Sequence, residues 1–128
     1  MYKAGIYCRI SIEEQNKEGE YSNSIHSQIQ MARDYMAEQN DIMEKKVYVD
    51  DGASGSNFER TEFRQMLADI EFGVINMVIF KDVSRLGREH IDTNYYLGKH
   101  FPEKQIRVIS ILDNYDSALG TYDEMIEI

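Results

Sequence analysis

Short apolar runs alternate along this chain with longer segments in which apolar residues recur every three or four positions. The runs are residues 3–9 (KAGIYCR), Val47–Val49, Met77–Phe80 and Val108–Leu112; none has helical spacing, and each reads as a strand. Between the first two, Ile25, Ile29, Ala32 and Met36 share one face of a helix, as do Phe63, Met66, Leu67 and Ile70 before the third. A shorter helix is predicted from about Glu89 to His100, with Ile91 and Tyr95 on one face and Pro102 just beyond its end. The order is β-α-β-α-β-α-β. Such alternation with right-handed crossovers predicts the α/β class: three layers, with a mostly parallel central sheet of four to five strands flanked by helices. Residues 12–24 (IEEQNKEGEYSNS) are polar and predict a long loop, and Thr121–Ile128 reads as the start of one more helix.

At 128 residues and 42% apolar, with nine Tyr and five Phe against one Pro, the chain can bury one core and reads as a single domain over residues 1–128. No apolar run reaches the roughly 18 residues that cross a bilayer, and no basic stretch followed by a long apolar one opens the chain. A soluble, cytoplasmic protein with no membrane partner is expected. The lone cysteine, Cys8, excludes an internal disulfide and is too little for a thiolate metal site. Charge changes the picture more. At −9 the chain lacks the basic surface with which a free-standing DNA binder displaces counterions from phosphate. A catalytic centre, however, needs only a few cations at the reacting phosphate. An acidic domain can act on DNA if another part of a larger protein holds it.

Parallel sheets place their ligands at the carboxyl ends of the strands, so the residues following each strand are the candidates. After the first come Arg9 and Ser11, after the second Asp50, Asp51, Ser54, Gly55 and Arg60, and after the third Lys81, Ser84, Arg85 and Arg88. Four of the seven arginines thus fall on one edge of an acidic domain. Planar guanidinium groups grip phosphate oxygens two at a time and stay charged, which suits the extra negative charge of a phosphoryl-transfer transition state. A serine among them is a candidate nucleophile, activated where nearby positive charge favours the alkoxide. His26, His90 and His100 fall in or beside helical segments, away from the strand-to-turn placement of a hydrolase triad. Two other readings stay open. Asp50, Asp51 and Asp82 could hold a divalent cation for a metal-dependent phosphoesterase, or the arginines could belong to a non-catalytic phosphate- or nucleotide-binding module. Tyr7 either lines the site or packs against a helix, because alternation puts it on the face opposite Ala4, Ile6 and Cys8. Cys8, in an apolar strand, reads as a small core residue without chemistry.

Three segments together resemble the serine recombinase family of resolvases and invertases: YCRIS at Tyr7–Ser11, DGASGSNFER at Asp51–Arg60 and SRLGR at Ser84–Arg88. The resemblance spans about Lys3 to Asp113. It implies that Ser11 attacks a DNA phosphate to give a 5′-phosphoserine link and a free 3′-hydroxyl, with Arg9, Arg60, Arg85 and Arg88 on the phosphate. It also implies double-stranded DNA at a specific site as partner, self-association from dimer to tetramer, and no metal or other cofactor. Tyr7, Gln15, Gln28, Asp51, Ser54, Lys81 and Ser84 are implied in supporting roles. Small resolvases often carry an aspartate where this chain has Ser84, and their loop after the nucleophile is shorter. Both departures make the chain more similar to the large serine recombinases of phages and transposons. That likeness implies a catalytic domain truncated from a larger, bacterial or mobile-element protein.

Overall fold

In the computed structural model, residues 1–10, 20–50, 60–86 and 90–120 are described. The elements are β1 (Tyr2–Arg9), α1 (Glu20–Ala37), β2 (Ile42–Asp50), α2 (Thr61–Glu71), β3 (Met77–Phe80), a 3-10 turn (Val83–Arg85), α3 (His90–Tyr95), β4 (Arg107–Ser110) and β5 (Tyr115–Asp116). The sheet order is β2-β1-β3-β4-β5; the first four strands are parallel and β5 runs antiparallel to β4. This is the expected α/β architecture.

β1 lies between β2 and β3, and from Ala4 to Arg9 every residue is buried, which is why the strand reads as a continuous apolar run. Its two faces feed two cores. Ala4, Ile6 and Cys8 pack with Ala32 and Met36 of α1 on one side of the sheet. Tyr7 points to the other, among Phe63, Met66 and Ile70 of α2 and Leu97 and Phe101 beyond α3. Burying side chains of this size stabilises the fold by roughly 1.5–3 kcal/mol each. Gly5 permits the close approach on that side, since a Cβ there would lie 2.8 Å from Ile75 Cδ1 and 2.9 Å from Tyr48 Cε2.

Several boundaries differ from those the pattern suggests, for identifiable reasons. α1 begins at Glu20, so residues 20–24, read as loop, are helical, and residues 12–19 lie outside the described residues. β2 begins at Ile42 rather than Val47: it is an edge strand whose exposed Glu44 and Lys46 pair through the main chain, with Lys45 bulged out opposite Ala4 and Gly5. β4 ends at Ser110, where the chain turns into β5. α3 continues through a π-helical stretch (Tyr96–His100) into a last α turn (Phe101–Glu103), so Pro102 is inside the helix rather than beyond it. In a regular helix a proline ring clashes with the carbonyl four residues back, and the wide turn before Pro102 changes that register. Thr93, Leu97 and Phe101 are buried while Tyr95 is 48% exposed, so Tyr95 is not on the inward face expected for it, and the side chain of Ile91 lies outside the described residues. The helix expected at Thr121–Ile128 lies outside the described residues.

Candidate active site

β1 ends at Arg9, and Gln28 of α1 treats that end as a neighbouring strand would. The Arg9 amide donates to Gln28 Oε1 at 3.3 Å, and Gln28 Nε2 donates to the Arg9 carbonyl at 3.2 Å and to Ser24 Oγ at 3.2 Å. Both groups are buried. The pairing satisfies main-chain atoms that the sheet no longer reaches, and it fixes where the Arg9 side chain departs. That side chain crosses to the segment after β3, where Nε donates to the Arg85 carbonyl at 3.2 Å and Nη2 donates to the Ser84 carbonyl.

The segment after β3 is held from both ends by aspartates. Asp82 Oδ1 accepts from the Ser84 amide at 3.1 Å and from the Ser84 hydroxyl, capping the 3-10 turn. Asp113 Oδ2, oriented by the Ser110 hydroxyl at 2.6 Å, accepts from the Val83 amide at 2.9 Å. Arg85 is thereby directed back at β1: it is 8% exposed, its Nη1 donates to the Arg9 carbonyl at 2.7 Å, and its Nε is 3.7 Å from Asp82. Lys81 is half-buried, and its carbonyl accepts from the Leu112 amide at 2.8 Å.

Arg60 comes from the third direction. It is the residue before α2, and its guanidinium lies 3.8 Å from the centre of the Phe63 ring and 5.8 Å from that of Tyr7. Its Nη2 donates to the Arg85 carbonyl at 3.4 Å, and its buried Nε has no hydrogen-bond partner among the described residues. Tyr7 therefore does both things the sequence left open. Its ring packs edge-on against Phe63 with centroids 5.2 Å apart, and the same ring lies beneath Arg60. Burial pushes its phenol well above the usual tyrosine range, with Arg60 opposing the shift, so its hydroxyl acts as a donor.

Three guanidinium groups from three separate segments thus meet on the carbonyls of Arg9, Ser84 and Arg85. Like charges gathered on shared carbonyls repel one another. The neighbouring carboxylates of Asp50, Asp82 and Asp113 accept hydrogen bonds from main-chain amides, and Asp82 also lies 3.7 Å from Arg85 Nε. Asp50 and Asp82, considered above as metal ligands, act as helix caps. Among the described residues no group of three or more His, Cys, Asp or Glu gathers in a way that could hold a metal ion. Cys8 is in the core as expected, and burial pushes its thiol up to about 12, with Arg85 pulling the other way. Ser11, Gln15, Asp51, Ser54 and Arg88 lie outside the described residues. Sequence reasoning missed the capping role of Asp50; the available signal was an arginine at a helix start with no capping side chain of its own.

Fold and site together define a class: an α/β domain with a buried cationic cluster at the carboxyl edge of a parallel sheet. The sequence model described as "Resolvase, N terminal domain" matches residues 4–128, and the chain belongs to this family, the serine recombinases. Its structure is similar to the N-terminal catalytic domain of TP901-1 integrase, with 30% sequence identity, 91% of this chain and 82% of that chain covered, and a TM-score of 0.75. A resolvase family site-specific recombinase from Streptococcus pneumoniae shares the fold at 24% identity, with 92% and 77% covered and a TM-score of 0.74. So does the C-terminal catalytic domain of ISC1926 TnpA, an IS607-like serine recombinase, at 21% identity, with 86% and 69% covered and a TM-score of 0.67. No curated protein matches the chain in sequence. Among the described residues no helix is long and apolar enough to cross a membrane.

Proposed function

We propose that this domain carries out the strand-transfer chemistry of site-specific recombination, with Ser11 as nucleophile and Arg9, Arg60, Arg85 and Arg88 on the scissile phosphate. The observation that carries the reading is the meeting of Arg9, Arg60 and Arg85 on shared main-chain carbonyls, a concentration of positive charge that an anion completes. Ser11 follows two residues after Arg9 in sequence. Its hydroxyl oxygen attacks phosphorus, the bond to the 3′ oxygen breaks, that oxygen leaves as a 3′-hydroxyl, and the 5′ phosphate remains on the serine. The proton lost by Ser11 balances the one gained by the leaving oxygen. Reversal by a new 3′-hydroxyl rejoins the strand without an external energy source. Double-stranded DNA is the partner, and cutting both strands of two sites calls for self-association up to a tetramer. The 128 residues serve as the catalytic part, with DNA affinity supplied by further chain.

A covalent trap tests this. The full-length protein, incubated with DNA carrying its site, is expected to yield a protein-linked 5′ end that disappears in Ser11→Ala and survives excess chelator. Absence of an adduct, or its loss in chelator, overturns the reading.

A further inference from the structure

Arg60 presents a difficulty that the rest of the fold resolves. The residue before a helix normally supplies a side-chain oxygen to the first free amides, and the helix dipole disfavours a cation there. Arg60 can do neither service, and its backbone, at φ −95° and ψ 69°, is accompanied by no side-chain cap bond. The missing oxygens come from Asp50, ten residues earlier at the end of β2 and only 6% exposed. Asp50 Oδ1 accepts from the Glu62 amide at 2.9 Å and Oδ2 from the Phe63 amide at 2.9 Å, the two positions a capping residue serves. Oδ2 also accepts from the Tyr7 hydroxyl at 2.8 Å, which ties the carboxylate to the central strand.

We infer that Asp50, held by Tyr7, is a positioning residue for Arg60: it caps α2 from outside the helix and so frees the residue before α2 to be an arginine aimed into the site. The geometry links the parts directly. The amide that Asp50 holds at Phe63 belongs to the residue whose ring carries the Arg60 guanidinium at 3.8 Å. Tyr7, whose hydroxyl fixes Asp50, supplies the second ring near that guanidinium. One carboxylate therefore sets the start of the helix, the aromatic shelf and the direction from which Arg60 reaches the Arg85 carbonyl. Its hydrogen bonds go to amides and a hydroxyl, so it aims the cation without neutralising it through a paired hydrogen bond. The inference rests on the reading of Arg60 as a phosphate ligand.

The test is a double-mutant cycle in the full-length protein, reading the single-turnover rate of covalent adduct formation alongside DNA binding and thermal stability. Asp50→Asn keeps one acceptor and turns an amide group toward a main-chain N–H. It is expected to slow adduct formation roughly 10- to 100-fold while leaving DNA affinity in place. In an Arg60→Ala background the same change is expected to cause no further slowing, although it lowers stability equally in both. Arg60→Lys replaces the alanine variant as background if the latter gives no measurable adduct. Tyr7→Phe, which keeps the ring, is the second probe and should show a smaller loss that also vanishes without Arg60, so the cycle remains readable if Asp50→Asn folds poorly. Equal slowing in both backgrounds, or a wild-type rate in Arg60→Ala, overturns the inference. An adduct that persists in Ser11→Ala overturns the proposed nucleophile instead, and the Asp50–Arg60 coupling is still read from the cycle.

Discussion

Arg9 and Arg85 hold each other's main chain: Arg9 Nε donates to the Arg85 carbonyl at 3.2 Å, and Arg85 Nη1 donates to the Arg9 carbonyl at 2.7 Å. The exchange locks two buried guanidinium groups in a fixed relation, which a lysine ammonium at either position cannot reproduce. Arg85→Lys is therefore expected to lower stability by about 1–3 kcal/mol and to slow adduct formation about 100- to 1,000-fold. Urea unfolding and single-turnover trapping check the two effects. A near-wild-type rate would count against the site as described. Arg88→Lys is expected to lose most activity under the proposed phosphate contact, because one ammonium cannot reproduce the two-pronged grip of a guanidinium.

Gly5→Ala is expected to destabilise the fold without touching the site, because the new methyl would sit 2.8 Å from Ile75 Cδ1 and 2.9 Å from Tyr48 Cε2. Overpacking of this kind costs about 1–3 kcal/mol. Ile75→Val removes the nearer atom, so the double variant should recover part of the loss in urea denaturation. No recovery would place the strain elsewhere.

Asp69 should make stability depend on acid. It accepts from the Tyr48 hydroxyl at 2.6 Å and from Gln65 at 3.0 Å, and Lys46 lies at 3.4 Å. The Tyr48 hydrogen bond holds its carboxyl below the usual range, burial opposes this, and Gln65 and Lys46 reinforce it. A carboxyl with a depressed folded value contributes stability above its unfolded value near about 4, and that contribution is lost as pH falls through the folded value. Tyr48→Phe should thus lower stability by about 1–2 kcal/mol at neutral pH, and the deficit should shrink in acid. A deficit that is independent of pH would contradict the assignment.

Cys8 should be silent toward thiol reagents at pH 8 in the folded protein, since burial pushes its thiol up to about 12. Modification should then follow the rate of unfolding and become fast in urea. Rapid reaction of the native protein would show that the core is open at β1.

The isolated chain is expected to bind DNA weakly at physiological salt, because a domain of net charge −9 offers few phosphate contacts outside its cationic edge. Fluorescence anisotropy across a salt series checks this. Tight binding with a steep salt slope would contradict it.

Much of the fold was legible because burial leaves a period. β1, β3 and β4 are apolar runs since both faces of their sheet are covered, and α1 and α2 show their inward stripes at three- and four-residue spacing. Where main-chain pairing rather than burial set an element, the pattern was silent. The charged start of β2 is edge strand by hydrogen bonding alone, and the first turn of α1 has no apolar stripe. The π-helical stretch left no trace in the pattern, and it precedes a last turn that holds Pro102 inside the helix.

By itself the sequence determined the α/β class, the gathering of Arg9, Arg60 and Arg85 on one edge and the family, because post-strand positions in a parallel sheet converge whatever the loops do. Only the tertiary structure decided how the arginines are held there: Gln28 pairing with the end of β1, Asp113 reaching across to the 3-10 turn, and Asp50 capping a helix that starts eleven residues later. These hydrogen bonds join groups far apart in the chain. A lone aspartate or glutamine in sequence carries no trace of which distant amide it will meet, and distance in space, which sets the strength of a hydrogen bond, is what folding supplies.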